Sequence, residues 1–138
     1  MNKKVLIATD VLVAFIDRAN PRHLHAGAFL RYFAQEHYTL FTTPLAISDT
    51  YAILAHKISP AIAKDFIKAL NLGSMNVIPP DESDVKMTYK TLLSSSSTEA
   101  GFNETLMQVV ANRRNITQIC TFSYLHPLFR LTTFYLPI

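Results

Sequence analysis

The chain has 138 residues, 49% hydrophobic and 17% charged, with three glycines, one cysteine and a formal net charge of +3. That length predicts one domain, residues 1–138, able to bury about two thirds of its unfolded surface. So few glycines and no phosphate-loop motif argue against a nucleotide cradle, a lone cysteine excludes an intrachain disulfide, and the mild positive charge permits RNA or an acidic partner without requiring either.

Lys3 and Lys4 followed by an apolar run superficially resemble a signal peptide, but Asp10 and Asp17 interrupt it. No run approaches the length of a membrane span, so the expected setting is cytoplasmic. Cys120 sits in Ile119-Cys120-Thr121-Phe122 and reads as a buried structural thiol.

Val5-Leu6-Ile7 is a β-forming apolar run that reads as a fully buried strand of a parallel sheet. It stops at Ala8-Thr9-Asp10, after which Val11, Leu12 and Phe15 follow at helical spacing. The turn between them lies at the carboxyl end of a central strand, where open α/β sheets bind ligands. Asp10 is therefore the first candidate site residue. Its bland alternative is to cap the helix. If strand geometry persisted past Ile7, Asp10 and Ala8 would point to the same side.

Pro21 ends the first helix. Residues 22–38 form a second, with Leu24, Ala28 and Tyr32, and Ala26, Phe29, Leu30 and Phe33, making a broad apolar face. His23 and His25 stand two apart and point in different directions on a helix, which disfavours a metal pair. Residues 38–42 read as the second strand. Thr43 and Pro44 then cap and open a helix with the stripe Ile47, Tyr51, Leu54 and Ile58. Asp49 lies off that stripe, near the helix start. It is either a dipole-favoured carboxylate or a ligand facing the strand-end crevice.

Ser59-Pro60 starts the next helix, carrying Ile62, Phe66, Ile67 and Leu70, and Gly73 ends it. Residues 75–78 form the third strand. Asp81 and Asp84 open a helix with Val85, Tyr89 and Leu92, followed by a Ser-rich loop over residues 94–98. Glu104 sits in the first turn of a helix whose core face is Leu106, Met107, Val109 and Val110, and whose C-terminal end carries Arg113 and Arg114. Residues 115–122 give the fourth strand and its entry, and residues 131–136 an edge strand. Alternating strands and helices predict a three-layer α/β/α domain around a mainly parallel sheet.

Four stretches, in order, resemble PIN domains, small metal-dependent ribonucleases that include VapC-type toxins of toxin–antitoxin pairs. Ile7-Ala8-Thr9-Asp10-Val11-Leu12 resembles their opening, Thr42-Thr43-Pro44-Leu45-Ala46-Ile47-Ser48-Asp49 their second motif, Glu104-Thr105-Leu106 the third and Thr121-Phe122-Ser123 the fourth. The resemblance implies a PIN-like fold, cleavage of RNA phosphodiesters with Mg²⁺ or Mn²⁺, an antitoxin-like partner and a homodimer. It also implies four acidic positions, which here hold Ala8, Asp49, Glu104 and Ser123. Two acids are missing, and the other two are exchanged in type, Asp for Glu and Glu for Asp.

Asp10 could supply a third carboxylate beside Asp49 and Glu104, enough in principle for a weak Mg²⁺ site, and Ser123 could hold a water ligand. The leading expectation is a VapC-like protein whose catalysis is impaired or lost, with Mg²⁺ or Mn²⁺ as the cofactor where activity persists. The alternatives are a weakly active metal-dependent ribonuclease using Asp10, Asp49 and Glu104, or a non-catalytic module that binds RNA or protein with Arg18, Arg22 and Arg130 on its rim. A domain binding a phosphorylated ligand ranks last because no phosphate loop exists.

Overall fold

The computed structural model describes residues 2–94, 101–123 and 132–133. In chain order it contains β1 (Lys4–Ile7), α1 (Thr9–Ile16), α2 (His23–Gln35), β2 (Thr39–Thr42), α3 (Pro44–Lys57), α4 (Pro60–Leu72), β3 (Asn76–Val77), α5 (Glu82–Ser94), α6 (Phe102–Arg113), β4 (Gln118–Cys120) and β5 (Thr132–Thr133). The strands form one sheet in the order β3-β2-β1-β4-β5. Every pairing is parallel, as in Val5 with Leu40, Leu6 with Ile119 and Ile119 with Thr133. The α/β/α expectation holds. Among the described residues no helix is long and apolar enough to cross a membrane.

The central strand shows why its sequence is apolar from Val5 to Ile7. Val5 and Ile7 join one hydrophobic cluster with Val11, Leu12, Phe29, Phe33, Leu54 and Phe66. Leu6 and Ala8 face the other way and join Ala46, Leu106, Met107, Val110 and Ile119. Alternate side chains of a strand point to opposite faces, so both faces of β1 are covered by helices. Truncating Leu6 or Ile7 to Ala would cost about 2–5 kcal/mol.

Two helix starts follow local rules. Thr43 Oγ1 accepts from the Ala46 N–H at 3.1 Å, and Ser59 Oγ from the Ile62 N–H at 3.2 Å, each with proline at the next position. Two helix ends use left-handed residues other than glycine. His37 (φ 58°) and Asn115 (φ 57°) follow α2 and α6. The Tyr38 N–H reaches Phe33 O at 2.9 Å and the Ile116 N–H reaches Ala111 O at 3.0 Å, the paired closure that such caps make.

Several expectations are corrected. α2 is shorter than residues 22–38, and its buried face is Ala26, Gly27, Phe29 and Phe33, leaving Leu24 82% exposed. Leu24 lies five residues before Phe29, roughly 140° round the helix from it. Phe15 is 40% exposed because Val11, Leu12, Val13 and Ala14 already fill the inner side of the short α1. Of the α3 stripe only Leu54 is buried, and Ile58, at the helix end, is exposed. The third and fourth strands contract to Asn76–Val77 and Gln118–Cys120. The edge strand pairs over Thr132–Thr133, while the loop at 95–98, Arg130 and the remainder of the last strand lie outside the described residues.

Candidate functional site at the strand ends

The carboxyl ends of β1, β2 and β4 meet at one edge of the sheet. Thr42 Oγ1 donates to Ile7 O at 3.0 Å and locks the end of β2 to the end of β1. The Ala8 N–H donates to Cys120 O at 3.0 Å and does the same for β4. The sheet thus presents residues 8–10, 42–43 and 121–123 side by side.

Strand geometry ends at Ile7. Ala8 is the N-cap residue of α1, with no side-chain cap, and Asp10 lies inside the first helical turn. Asp10 therefore neither caps the helix nor shares a strand face with Ala8. Its carboxylate turns to the end of β4. Oδ2 accepts from Thr121 Oγ1 at 2.9 Å, the Phe122 N–H at 2.9 Å and Ser123 Oγ at 3.1 Å. Thr121 Oγ1 in turn accepts from the Ser123 N–H at 3.0 Å, which folds residues 121–123 around the carboxylate. Oδ1 is buried and has no partner among the described residues. The negative charge at the helix start is also favoured by the α1 dipole.

Ala8 is 3% exposed and belongs to the apolar cluster of Leu6, Ala46 and Leu106. Its position, where the resemblance implies an acid, is packed rather than solvated. Asp49 is half-buried and stands six residues into α3, past the first turn, so the dipole argument for it fails. It makes no ion pair with any described residue.

Glu104 does occupy the first turn of α6, but it is exposed and its carboxylate folds back over Gly101, filling the space where a Cβ would lie. The buried polar side chain of that turn is its neighbour Asn103, 8% exposed. Asn103 Nδ2 donates to Thr9 Oγ1 at 2.9 Å, and its Oδ1 has no partner among the described residues. Sequence reasoning passed over Asn103 because an amide beside a carboxylate carries no chemical signal until the helix phase is known.

The structure thus brings Asp10 and Ser123 together and places Thr9 beside Asn103. Among the described residues no three His, Cys, Asp or Glu side chains gather in an arrangement that could hold a metal ion. Cys120, one strand residue before this turn, is buried as expected. Burial, and secondarily the charge of Asp10, pushes its thiol pKa well above the ordinary value.

On the rim of the crevice, the Arg22 guanidinium lies 4.8 Å from the centre of the Phe122 ring. Elsewhere an open cleft of about 850 Å³ is lined by Asp17, Arg18, Lys57, Ile58, Ile62 and Phe66 and contains none of Asp10, Asp49, Glu104 and Ser123. Arg18 therefore belongs to that cleft.

An acidic and basic cluster holds α5 on α6. Asp81 and Asp84 form a reciprocal cap at the start of α5, each carboxylate accepting the other's N–H at 2.8 Å. Asp84 is fully buried and also takes Arg113 at 2.6 Å and Arg114 through both oxygens, at 3.0 and 2.7 Å. Burial alone would raise the Asp84 pKa. The hydrogen bonds from Arg114, the Asp81 N–H and Arg113 outweigh it and hold the carboxyl well below the usual range.

No protein-family profile and no curated protein matches the chain in sequence. Solved structures do match in fold. VapC20 from Mycobacterium tuberculosis, described as a sarcin–ricin loop cleaving toxin, superposes with a TM-score of 0.77 over 86% of this chain and 89% of its own, at 18% identity. VapBC2 from Rickettsia felis, bound to a DNA fragment from its promoter, gives 0.62 over 87% and 88%, at 13% identity. The architecture is that of a PIN domain of the VapC type.

Proposed function

We propose that this VapC-type PIN fold is a toxin-derived protein that binds RNA at the strand-end crevice and has impaired or lost nuclease catalysis. The observation that carries this reading is the state of Asp10, whose Oδ2 is already engaged by Thr121, Phe122 and Ser123. Divalent-metal phosphodiester cleavage needs several carboxylates free to converge on one ion. Here one expected position is an alanine packed among Leu6, Ala46 and Leu106, another is the Ser123 hydroxyl bonded to Asp10, and Glu104 turns onto Gly101. This donor set does not fit the family's Mg²⁺ or Mn²⁺ site.

The structural neighbours support the origin of the fold. One is a toxin that cleaves the sarcin–ricin loop, and the other a toxin–antitoxin complex on promoter DNA. By that analogy the partners of this chain are RNA and an antitoxin-like protein, and the PIN resemblance adds a second copy of itself.

A second reading, a weak metal-dependent ribonuclease using Asp10, Asp49 and Glu104, draws on Asp10 Oδ1, which has no partner among the described residues, and on the half-buried Asp49. Calorimetric titration of Mn²⁺ and Mg²⁺ into the protein, its Asp49→Ala and Glu104→Ala variants, and an RNA cleavage assay separate the two. The first reading expects no saturable metal binding at millimolar concentration and no metal-dependent cleavage. Saturable binding lost in both variants, accompanied by cleavage, would replace it with the second.

A further inference from the structure

We infer that Arg22 and His25 form a stacking surface for a nucleobase of single-stranded RNA, supported from beneath by Phe122 and Phe29. The inference rests on the RNA-binding reading above and assigns the rim residues that would carry it.

The placement begins at Asp10. Its hydrogen bond from the Phe122 N–H fixes the backbone just beyond β4, and this sets the Phe122 ring at the mouth of the crevice. That ring packs 5.8 Å from Phe29 of α2. Arg22 and His25, one turn apart at the start of α2, then lie over the two phenyl rings. The Arg22 guanidinium is 4.8 Å from the Phe122 centre. The His25 imidazole is stacked on Phe29 at 4.5 Å, with 23° between planes, and sits 5.4 Å from Phe122.

Both upper groups are exposed and flat. Among the described residues neither the Arg22 guanidinium nor the His25 ring makes a hydrogen bond, and Arg22 makes no ion pair. His23 is the contrast, since its Nδ1 lies 2.9 Å from Ala14 O and holds α2 to α1. A structural histidine is engaged in this way, and among the described residues His25 is not.

Unstacked bases of single-stranded RNA are held on aromatic and guanidinium planes, and sequence-tolerant stacking is combined with positive charge toward the backbone. Arg22 offers both in one group, which lysine cannot. The absence of a carboxylate partner for Arg22 among the described residues leaves its charge available to a phosphate. The underlying phenyl rings hold the two groups in place before RNA arrives, so little ordering is required on binding.

The test uses a short single-stranded RNA carrying 2-aminopurine, with affinity read by anisotropy and stacking by quenching of the base. The wild-type chain should bind and quench. His25→Ala should weaken binding by about tenfold and lose quenching, and His25→Phe should retain both. Arg22→Lys should keep much of the salt dependence while losing quenching. Lys68→Ala, an exposed charge on α4, should change neither. Wild-type RNA binding with unaltered quenching in His25→Ala and Arg22→Lys overturns this inference and leaves the RNA-binding reading standing. Failure of the wild-type chain to bind RNA overturns both.

Discussion

Ser123 Oγ donates to Asp10 Oδ2 across 3.1 Å, joining the third residue after β4 to the first turn of α1. In the PIN resemblance Ser123 stands at an acidic position. In this chain that position holds a hydroxyl, bonded to the carboxylate of Asp10.

Removing that acceptor leaves three donors without a protein partner. Asp10→Ala should destabilise the fold by about 1–3 kcal/mol in urea unfolding, because Thr121, Ser123 and the Phe122 N–H lose their shared oxygen. Asp10→Asn keeps an acceptor oxygen and should cost less. Equal stability of Asp10→Ala and the wild type would show that this network contributes nothing.

Restoring the missing acids tests the metal argument directly. Ala8→Asp with Ser123→Asp would place two carboxylates near Asp10, one of them within an apolar cluster. Without metal the like charges and burial should lower stability by about 3 kcal/mol. Added Mn²⁺ should recover part of that loss as a rise in Tm, and leave the wild-type Tm unchanged. A comparable Mn²⁺ shift in the wild type would contradict the impaired-site reading.

Asp84 predicts an acid-labile junction between α5 and α6. Its folded-state pKa lies below the unfolded value of about 3.9. Between those two values the unfolded chain binds the proton and the folded chain does not, so this contribution is full above the unfolded pKa and is lost as pH falls below it. Asp84→Asn should cost about 2 kcal/mol at pH 7, since Arg113 and Arg114 are partly exposed and regain water. The variant should also show a shallower fall in stability below about pH 4. An unchanged acid limb in chemical denaturation would assign the acid sensitivity to other groups.

Cys120 should be inert in the native protein. Burial first, and Asp10 second, disfavour its thiolate. Labelling by an aromatic disulfide reagent at pH 8 should therefore proceed only as fast as the chain opens, and should accelerate with urea in step with unfolding. Rapid stoichiometric labelling without denaturant would mean that the β4 end opens locally.

The amino-acid sequence by itself determined the features whose physics is local. The unbroken apolar run of β1 announced a strand covered on both faces, and Thr43-Pro44 and Ser59-Pro60 announced helix starts, because a cap oxygen and the N–H it accepts lie within three residues. Alternation of strands and helices sufficed for a parallel α/β/α sheet. The left-handed closures at His37 and Asn115 were less legible, since neither residue is the glycine that usually marks them.

Tertiary structure decided everything that depends on helix phase and on partners far along the chain. Leu24 and Phe15 fit apolar patterns but sit outside, because burial depends on which stripe meets the sheet. Asp84 read as an ordinary first-turn acid until α6 brought Arg113 and Arg114 onto it, about thirty residues later. Asp10 lies more than a hundred residues from Thr121, Phe122 and Ser123, and only the β1–β4 pairing brings them into hydrogen-bond range. Hydrogen bonds and desolvation act over a few ångströms of space, so a carboxylate's availability to a ligand follows from its neighbours in the fold.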